Sequence, residues 1–368
     1  MTNKNWILFI NPSAYPCNMG GIEVFNYYLL KELSKDYNIH QLTFCKDIEN
    51  EYRIIKHIFK KPKFLKLLGP LFVFFFLLKN KEKIKLVHLS YARSYWTHWF
   101  VYVLAKKLLG IKYMFTIHGG GLSEWKPNFP YKSFFKNAET ITGVSEKIIT
   151  EYSKRSNREI VFTPPLIPFD VILPKNQDRE KWLVEPNDKV LLYVGSLKPL
   201  KSVDTLIEAL GIITNKKLKV FKIKVLIVGD GISRKKLESR VTELNLQNTV
   251  RFLGNIDREV VNQLYNIADI YTICSEYEGL PISSLEAFAN ELPCITSDAP
   301  GLVEVSLNNK NTLLFKTKDS YDYAQKIEIL FNSTKLQNEL RMSAGEYFKK
   351  SFSYDNLLNR FKNIIDKI

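Results

Sequence analysis

A chain of 368 residues is longer than single cores usually grow, so two domains of roughly 150 to 200 residues are expected. Hydrophobic residues make up 45% and charged residues 25%, a globular composition that excludes a fibrous or disordered chain. The formal charge of +15 is uneven: residues 1–178 hold 26 Lys and Arg against 14 Asp and Glu, which puts +12 of it in the first half.

In chain order, the start "MTNKNWILFI" lacks the charged region, long apolar core and small-residue cleavage site of a secretory signal. Short apolar runs then recur at 6–10, 39–44, 85–90, 112–117, 140–144 and 160–163, and they read as strands buried on both faces of a parallel sheet. Candidate helices lie between them, near 20–35, 64–79, 94–109 and 145–154, the last with Ser145 as its N-cap. Four prolines within 163–174 interrupt any regular element and place a domain boundary after residue 172. Runs at 189–195, 224–230, 250–254, 268–274 and 293–298 restart the alternation with helical spacers, a second α/β unit over 173–350. In the tail, 351–368, Leu357, Leu358, Phe361, Ile364, Ile365 and Ile368 share one helical face, which suits docking on a domain surface. Open α/β sheets bind ligands beyond the carboxyl ends of their strands, so function is sought at strand-to-loop junctions.

Residues 53–85 carry ten basic side chains against Glu82, around the apolar run "LLGPLFVFFFLL". That run of 12 is too short to cross a bilayer, which takes about 20 residues. It reads either as a buried helix with solvated lysines or as a basic, apolar face for an anionic membrane. Nucleic acid is disfavoured, because no reading motif accompanies the charge. Cys17, Cys45, Cys274 and Cys294 form no Cys-x-x-Cys pair and suggest neither a disulfide framework nor a zinc site, so a reducing, cytoplasmic location is expected.

The stretch "TIHGGG" at 116–121 has the letters of an esterase oxyanion hole. The matching Gly-x-Ser-x-Gly elbow is missing, since none of the 16 glycines has another four residues on. "GDGISR" at 229–234 likewise lacks the third glycine of a dinucleotide-binding loop. In "NPSAYPCNMGGIEVF", Gly20 and Gly21 let the backbone approach a ligand closely and let the next helix aim its amides at phosphate. Arg93 and His98, in "YARSYWTHWF", fit an acceptor contact or a helix face equally well. The most specific stretch is "CSEYEGLPISSLEAFANELPCITSDAPGLVEV", where Glu278 ends a strand-to-loop junction and Glu286 sits in a helix that Pro281 can open as its first residue. A carboxylate accepts two hydroxyl hydrogen bonds, which suits a ribose diol or vicinal sugar hydroxyls.

Together with "LLYVGSLKPLKSVDTLIEAL", "VLIVGDGISRKKLE" and "VRFLGNIDREVVNQLYNIADIYTICS" in that order, this stretch resembles the Glu-x7-Glu motif of retaining glycosyltransferases of family four. The resemblance covers the second half almost completely and the first more thinly. It implies the α/β GT-B fold, two Rossmann-like domains facing across a cleft, with the C-terminal helix packing back toward the first. It implies transfer of a hexose-type sugar from a nucleotide-diphosphate sugar, with retention at the anomeric carbon and with no cofactor and no metal. Glu278 and His118 would touch the transferred sugar, and Glu286 the nucleotide ribose. The backbone amides of Gly279, Leu280, Ile282 and Ser283 would serve sugar and phosphate, and Lys201 would stabilise charge on the leaving diphosphate. Gly20 and Gly21 match the first-domain glycine loop, and Gly119 to Gly121 would make room beside His118.

Two positions depart from the family pattern: Ser196 stands where arginine is usual and Ser202 where glycine is usual. Lys198 is the alternative cation, its plainer reading being a solvent-facing loop lysine. The acceptor expected is a growing bacterial surface glycan on a lipid carrier, with residues 53–85 bringing the first domain to the cytoplasmic face of a membrane. A nucleotide-sugar epimerase, a phosphorylase and a non-catalytic sugar-binding protein are the alternatives on this fold. The pyridoxal-lysine motif of a phosphorylase is missing, and the joint presence of Lys201, Glu278 and Glu286 favours a transferase.

Overall fold

Ile7, Leu8, Phe9 and Ile10 are all buried, on both faces of their strand, which a sheet covered by helices on each side allows. The structure, a computed structural model, describes residues 5–11, 21–43, 53–56, 65–91, 96–118, 129–166, 179–215, 222–307, 310–352 and 354–368. The chain divides into two units, Met1–Leu166 with Tyr354–Ile368, and Ile167–Ser353. Gly20, Arg93 and Gly119 to Gly121 lie outside the described residues.

In the first unit the strands are β1 (Trp6–Ile10), β2 (Asn38–Thr43), β3 (Arg53–Lys56), β4 (Ile84–Tyr91), β5 (Lys112–Ile117), β6 (Ile141–Gly143) and β7 (Val161–Phe162). They form one parallel sheet in the order β3-β2-β1-β4-β5-β6-β7. The helices are α1 (Gly21–Leu33), α2 (Leu65–Asn80), α3 (Trp96–Leu109), α4 (Phe129–Asn137) and α5 (Glu146–Ser156). Ser145 caps α5 as expected, its Oγ accepting the Ile148 amide at 3.4 Å, and Asn157 closes the helix in the left-handed region. Strand β3 and helix α4 were not anticipated: "RIIK" is a four-residue run with charged ends, and α4 carries Pro130 in its first turn among aromatics of modest helix propensity.

Helix α2 combines features of both readings of segment 53–85. Val73 and Leu77 are buried, whereas Leu71, Phe75 and Leu78, spaced for one face, are 54%, 61% and 40% exposed. No helix among the described residues is long and apolar enough to cross a membrane.

In the second unit β8 (Lys189–Val194), β9 (Ile223–Val228), β10 (Val250–Gly254), β11 (Ile270–Ile273), β12 (Cys294–Ser297) and β13 (Leu313–Phe315) form a parallel sheet in the order β10-β9-β8-β11-β12-β13. Its helices are α6 (Val203–Asn215), α7 (Arg234–Glu243), α8 (Arg258–Ile267), α9 (Ile282–Ala289), α10 (Leu302–Val305), α11 (Ser320–Asn332) and α12 (Thr334–Ser351).

The last helix, α13 (Tyr354–Asp366), belongs to the first unit. Leu357, Leu358, Phe361 and Ile365 are buried, each contributing roughly 1.5–3 kcal/mol of burial, while Ile364 and Ile368 remain half-buried, off the centre of the docked face. Polar ties fix its register: Tyr37 donates to Asp366 at 2.7 Å, Lys85 to the Ile365 carbonyl at 3.2 Å, and Lys362 pairs with Asp36. Strand order reverses between β1 and β4 in one sheet and between β8 and β11 in the other. Those are the crevices where sheets of this class receive ligands.

Candidate active site

The loops leaving β8 and β11 meet at the second reversal point. Residues Pro199–Lys201 make a single 3-10 turn closed by Ser202, whose φ of 46° lies in the left-handed region. That backbone demand explains a glycine preference here, and Ser202 meets it while its hydroxyl donates to Glu276 Oε1 at 2.8 Å. The turn is tied to β11 by the Glu276 amide, which donates to the Leu200 carbonyl at 2.9 Å, and by the Cys274 thiol, which donates to the Lys201 carbonyl at 3.3 Å. Burial pushes the Cys274 thiol well above its ordinary value, which keeps it a donor.

So held, Lys201 reaches Glu278 and forms an ion pair through Oε1, with the Ser275 hydroxyl donating to the same oxygen at 2.6 Å. The two side chains are 23% and 11% exposed, so the pair works in a partly dry setting where charge counts for more. The Glu278 loop rests on the loop after β12: its amide donates to the Pro300 carbonyl at 3.1 Å, and a Cβ on Gly301, at φ 87°, would stand 2.2 Å from the Glu278 carbonyl oxygen. Glu276 pairs with Lys318 at 2.7 Å, and these bonds hold its carboxyl below the usual carboxylate range.

Eight residues beyond Glu278, Glu286 stands on α9 and is 3% exposed. Arg258, the first residue of α8, closes on Glu286 Oε1, and the Tyr265 hydroxyl donates to Oε2 at 2.9 Å, with the Ser283 carbonyl a second acceptor at 3.1 Å. The Ser283 hydroxyl accepts from Tyr271 at 2.7 Å. Pro281 is the N-cap of α9 and not its first helical residue, because its ψ of 87° is outside the helical range. The amides of Ile282 and Ser283 therefore form the open first turn, in the neighbourhood of Gly279 and Leu280.

Neither Arg258 nor Tyr265 was foreseen. The only local hint was an arginine at a helix start, where a basic residue opposes the dipole. Ser196 is half-buried, with its carbonyl accepting from Tyr193 at 3.3 Å. Lys198 is exposed and lines a surface groove of about 1000 Å³ with Lys235, Lys318 and Glu276, as the solvent-facing reading has it.

In the first unit His118 directly follows β5, and Gly21 opens α1 with its backbone exposed. The rings of His118 and Phe25 meet in a T-shaped contact at a centroid distance of 4.6 Å. Burial pushes its pKa down to about 3, so the imidazole is neutral at physiological pH and acts through hydrogen bonds, not as a cation. Beneath it His88, fully buried and likewise lowered to about 3 by burial and by His118, bonds Thr116 Oγ1 at 2.8 Å, which in turn meets Thr142 Oγ1 at 2.7 Å. Among the described residues no group of three or more His, Cys, Asp or Glu is placed to hold a metal ion.

Residues 174–350 match the pattern of the family described as Glycosyl transferases group 1, and residues 19–168 match that of Glycosyltransferase Family 4. The chain belongs to the family-four glycosyltransferases. Over 363 residues it is 28% identical to an uncharacterized glycosyltransferase of Methanocaldococcus jannaschii, covering 97% of each chain. Sucrose-phosphate synthase of Thermosynechococcus elongatus superposes with a TM-score of 0.83 at 20% identity, over 99% of this chain and 98% of that one. The HepE protein of Anabaena, solved with UDP and glucose, superposes with a TM-score of 0.80 at 18% identity, over 98% and 99%. These neighbours establish the GT-B fold, to which both sheets conform.

Proposed function

We propose that this glycosyltransferase moves a hexose-type sugar from a nucleotide-diphosphate sugar to a glycan or lipid-linked acceptor, with retention. The observation that carries the reading is the Lys201–Glu278 ion pair at the β8/β11 reversal point. A diphosphate entering beside Lys201 exchanges the ammonium's carboxylate partner for phosphate oxygens, and the freed Glu278 then accepts sugar hydroxyls. One ion pair is thus traded for two ligand contacts, and the ammonium stands where charge grows as the diphosphate leaves. Glu286, held by Arg258 and Tyr265, retains lone pairs for a ribose diol. The bound UDP and glucose of the Anabaena neighbour support a uridine donor as the first to try.

Incubation with UDP-glucose and other nucleotide sugars should raise the melting temperature, and NMR of the product should show the donor's anomeric configuration. Full transfer by a Glu278→Ala protein, or an inverted product, overturns the reading. Basic side chains take the place of a metal in this proposal, so activity should survive a chelator. The exposed Leu71, Phe75 and Leu78 beside a basic segment support peripheral association with the cytoplasmic face of an anionic membrane, toward a lipid-linked surface glycan. Co-sedimentation with anionic vesicles that is unaffected by Leu71→Glu with Phe75→Glu removes that part.

A further inference from the structure

The groove beside Lys198 lies on the second unit, and sugar transfer as described above makes no use of it. It runs between α6 and α7, which follow the neighbouring parallel strands β8 and β9 and so begin at the same end of the sheet. Its volume of about 1000 Å³ is at the upper end of what small-molecule sites occupy. Five cations and four carboxylates line it, a balance that internal pairing makes uneven. Arg240 donates twice to Glu208, at 2.6 and 2.9 Å, and once to Glu243 at 2.7 Å. Glu276 commits one oxygen to the Ser202 hydroxyl and the other to Lys318. Lys198, Lys235 and Lys236 have no ion-pair partner among the described residues, and the exposed Asp204 is the one lining carboxylate left to face them.

The charges also sort by position. Lys235 and Lys236 stand in the first turn of α7 and Lys198 precedes α6, whereas Arg240 and Glu243 lie one to two turns further along α7. At the cationic end Thr205, in the first turn of α6, lines the groove and is only 8% exposed, and its hydroxyl has no hydrogen-bond partner among the described residues. Ser233, the N-cap of α7, lines the same end and makes no capping bond, the usual use of a serine there. A buried hydroxyl without a partner keeps its desolvation cost, and ammonium groups gathered at one end repel one another; an anion with several acceptor oxygens relieves both. A phosphate monoester carries close to two charges and three acceptor oxygens, which suits this set of donors better than the two oxygens of a carboxylate. Beyond it, Glu208 and Glu243 retain lone pairs for ring hydroxyls. Ser239 to Glu243 lie about 6–12 Å along α7 from Lys235, a span that a hexose phosphate covers. Lys201, Glu278 and Glu286 are not among the lining residues; the groove meets their loops only from behind, at Ser202 and Glu276.

We propose that the α6/α7 groove binds a phosphorylated sugar at a site separate from that of sugar transfer, its phosphate held by Lys198, Lys235, Lys236 and Thr205 and its ring turned toward Glu208 and Glu243.

The test is calorimetry of the full chain with glucose 6-phosphate, inorganic phosphate and UDP at constant ionic strength. Lys235→Gln with Lys236→Gln should weaken glucose 6-phosphate by at least about tenfold and leave UDP unaffected. Lys201→Ala should do the reverse, weakening UDP and keeping glucose 6-phosphate. Thr205→Val, which keeps the shape and removes the hydroxyl, should weaken glucose 6-phosphate about fivefold, a loss that diffuse attraction to surface lysines does not produce. Asp204→Asn should tighten it about twofold. Glucose 6-phosphate affinity unchanged in the double lysine variant, or lost in Lys201→Ala, overturns the proposal and places the anion at the donor crevice. Inorganic phosphate binding as tightly as glucose 6-phosphate overturns the assignment to a sugar. Should Thr205→Val not fold, the double lysine variant, altered only at exposed side chains, decides the matter. Glucose 6-phosphate binding by a wild-type protein that does not bind UDP sinks the transferase reading and leaves this site standing.

Discussion

At the reversal point of the second sheet the contacts are between ions: Lys201 with Glu278, Arg258 with Glu286, and Lys318 with Glu276. At that of the first sheet they are Ser90 to Asn26, His88 to Thr116 and Thr116 to Thr142, and no member carries a charge. Both crevices arise from the same crossover rule, so topology locates a site without choosing its ligand. The choice comes from which side chains the loops present. The charged crevice suits a leaving group that gains charge, and the neutral one suits hydroxyls that must be aligned without being ionised.

The largest effect that would sharpen this contrast is on stability. Arg258→Ala leaves the Glu286 carboxylate buried without its cation and should destabilise the protein by about 3–5 kcal/mol in urea unfolding. Most of the loss should return in Arg258→Ala with Glu286→Gln, and failure to recover would mean the pair is not coupled. Next comes catalysis: Lys201→Ala should lower kcat by about 10²–10³-fold, against about tenfold for His118→Gln, because only the first removes a full charge from the reacting end. Equal losses would break the comparison.

The neutral crevice has a pH signature of its own. Unfolded histidines take up protons near 6.5, whereas His88 and His118 do so only near 3, so the unfolded chain binds more protons in between. Stability should fall as pH drops through that window, by about 1.4 kcal/mol per pH unit for each imidazole, and His88→Gln should flatten the slope. The smallest effect is at Ser202→Gly. Relief of the left-handed backbone, about 1 kcal/mol, is offset by loss of the bond to Glu276, and the melting temperature should barely move.

Much of this architecture was legible in the chain. Fully apolar runs such as "WILFI" announce a covered parallel sheet, and Glu278 and Glu286 stand out because a long stretch of family pattern surrounds them. Ser202 was visible as a departure, though its physical sense needed the backbone angle. The misses share a cause. Arg258 and Tyr265 meet Glu286 from a helix 20 or more residues away in sequence, and short β3 and β13 depend on partners for their existence. Local pattern carries no record of such meetings, because register and packing decide them.

Helix α13 sets Phe361 against Phe25 at 6.5 Å and against His88 at 5.8 Å, closing the sheet of the unit made first with residues made after the second unit. Ile167–Ser353 is contiguous in sequence, whereas the first unit is completed only by residues at the very end of the chain. A chain truncated before Tyr354 would leave Phe25 and His88 without Phe361, so the loss should fall on the first unit although the cut lies at the far end of the sequence.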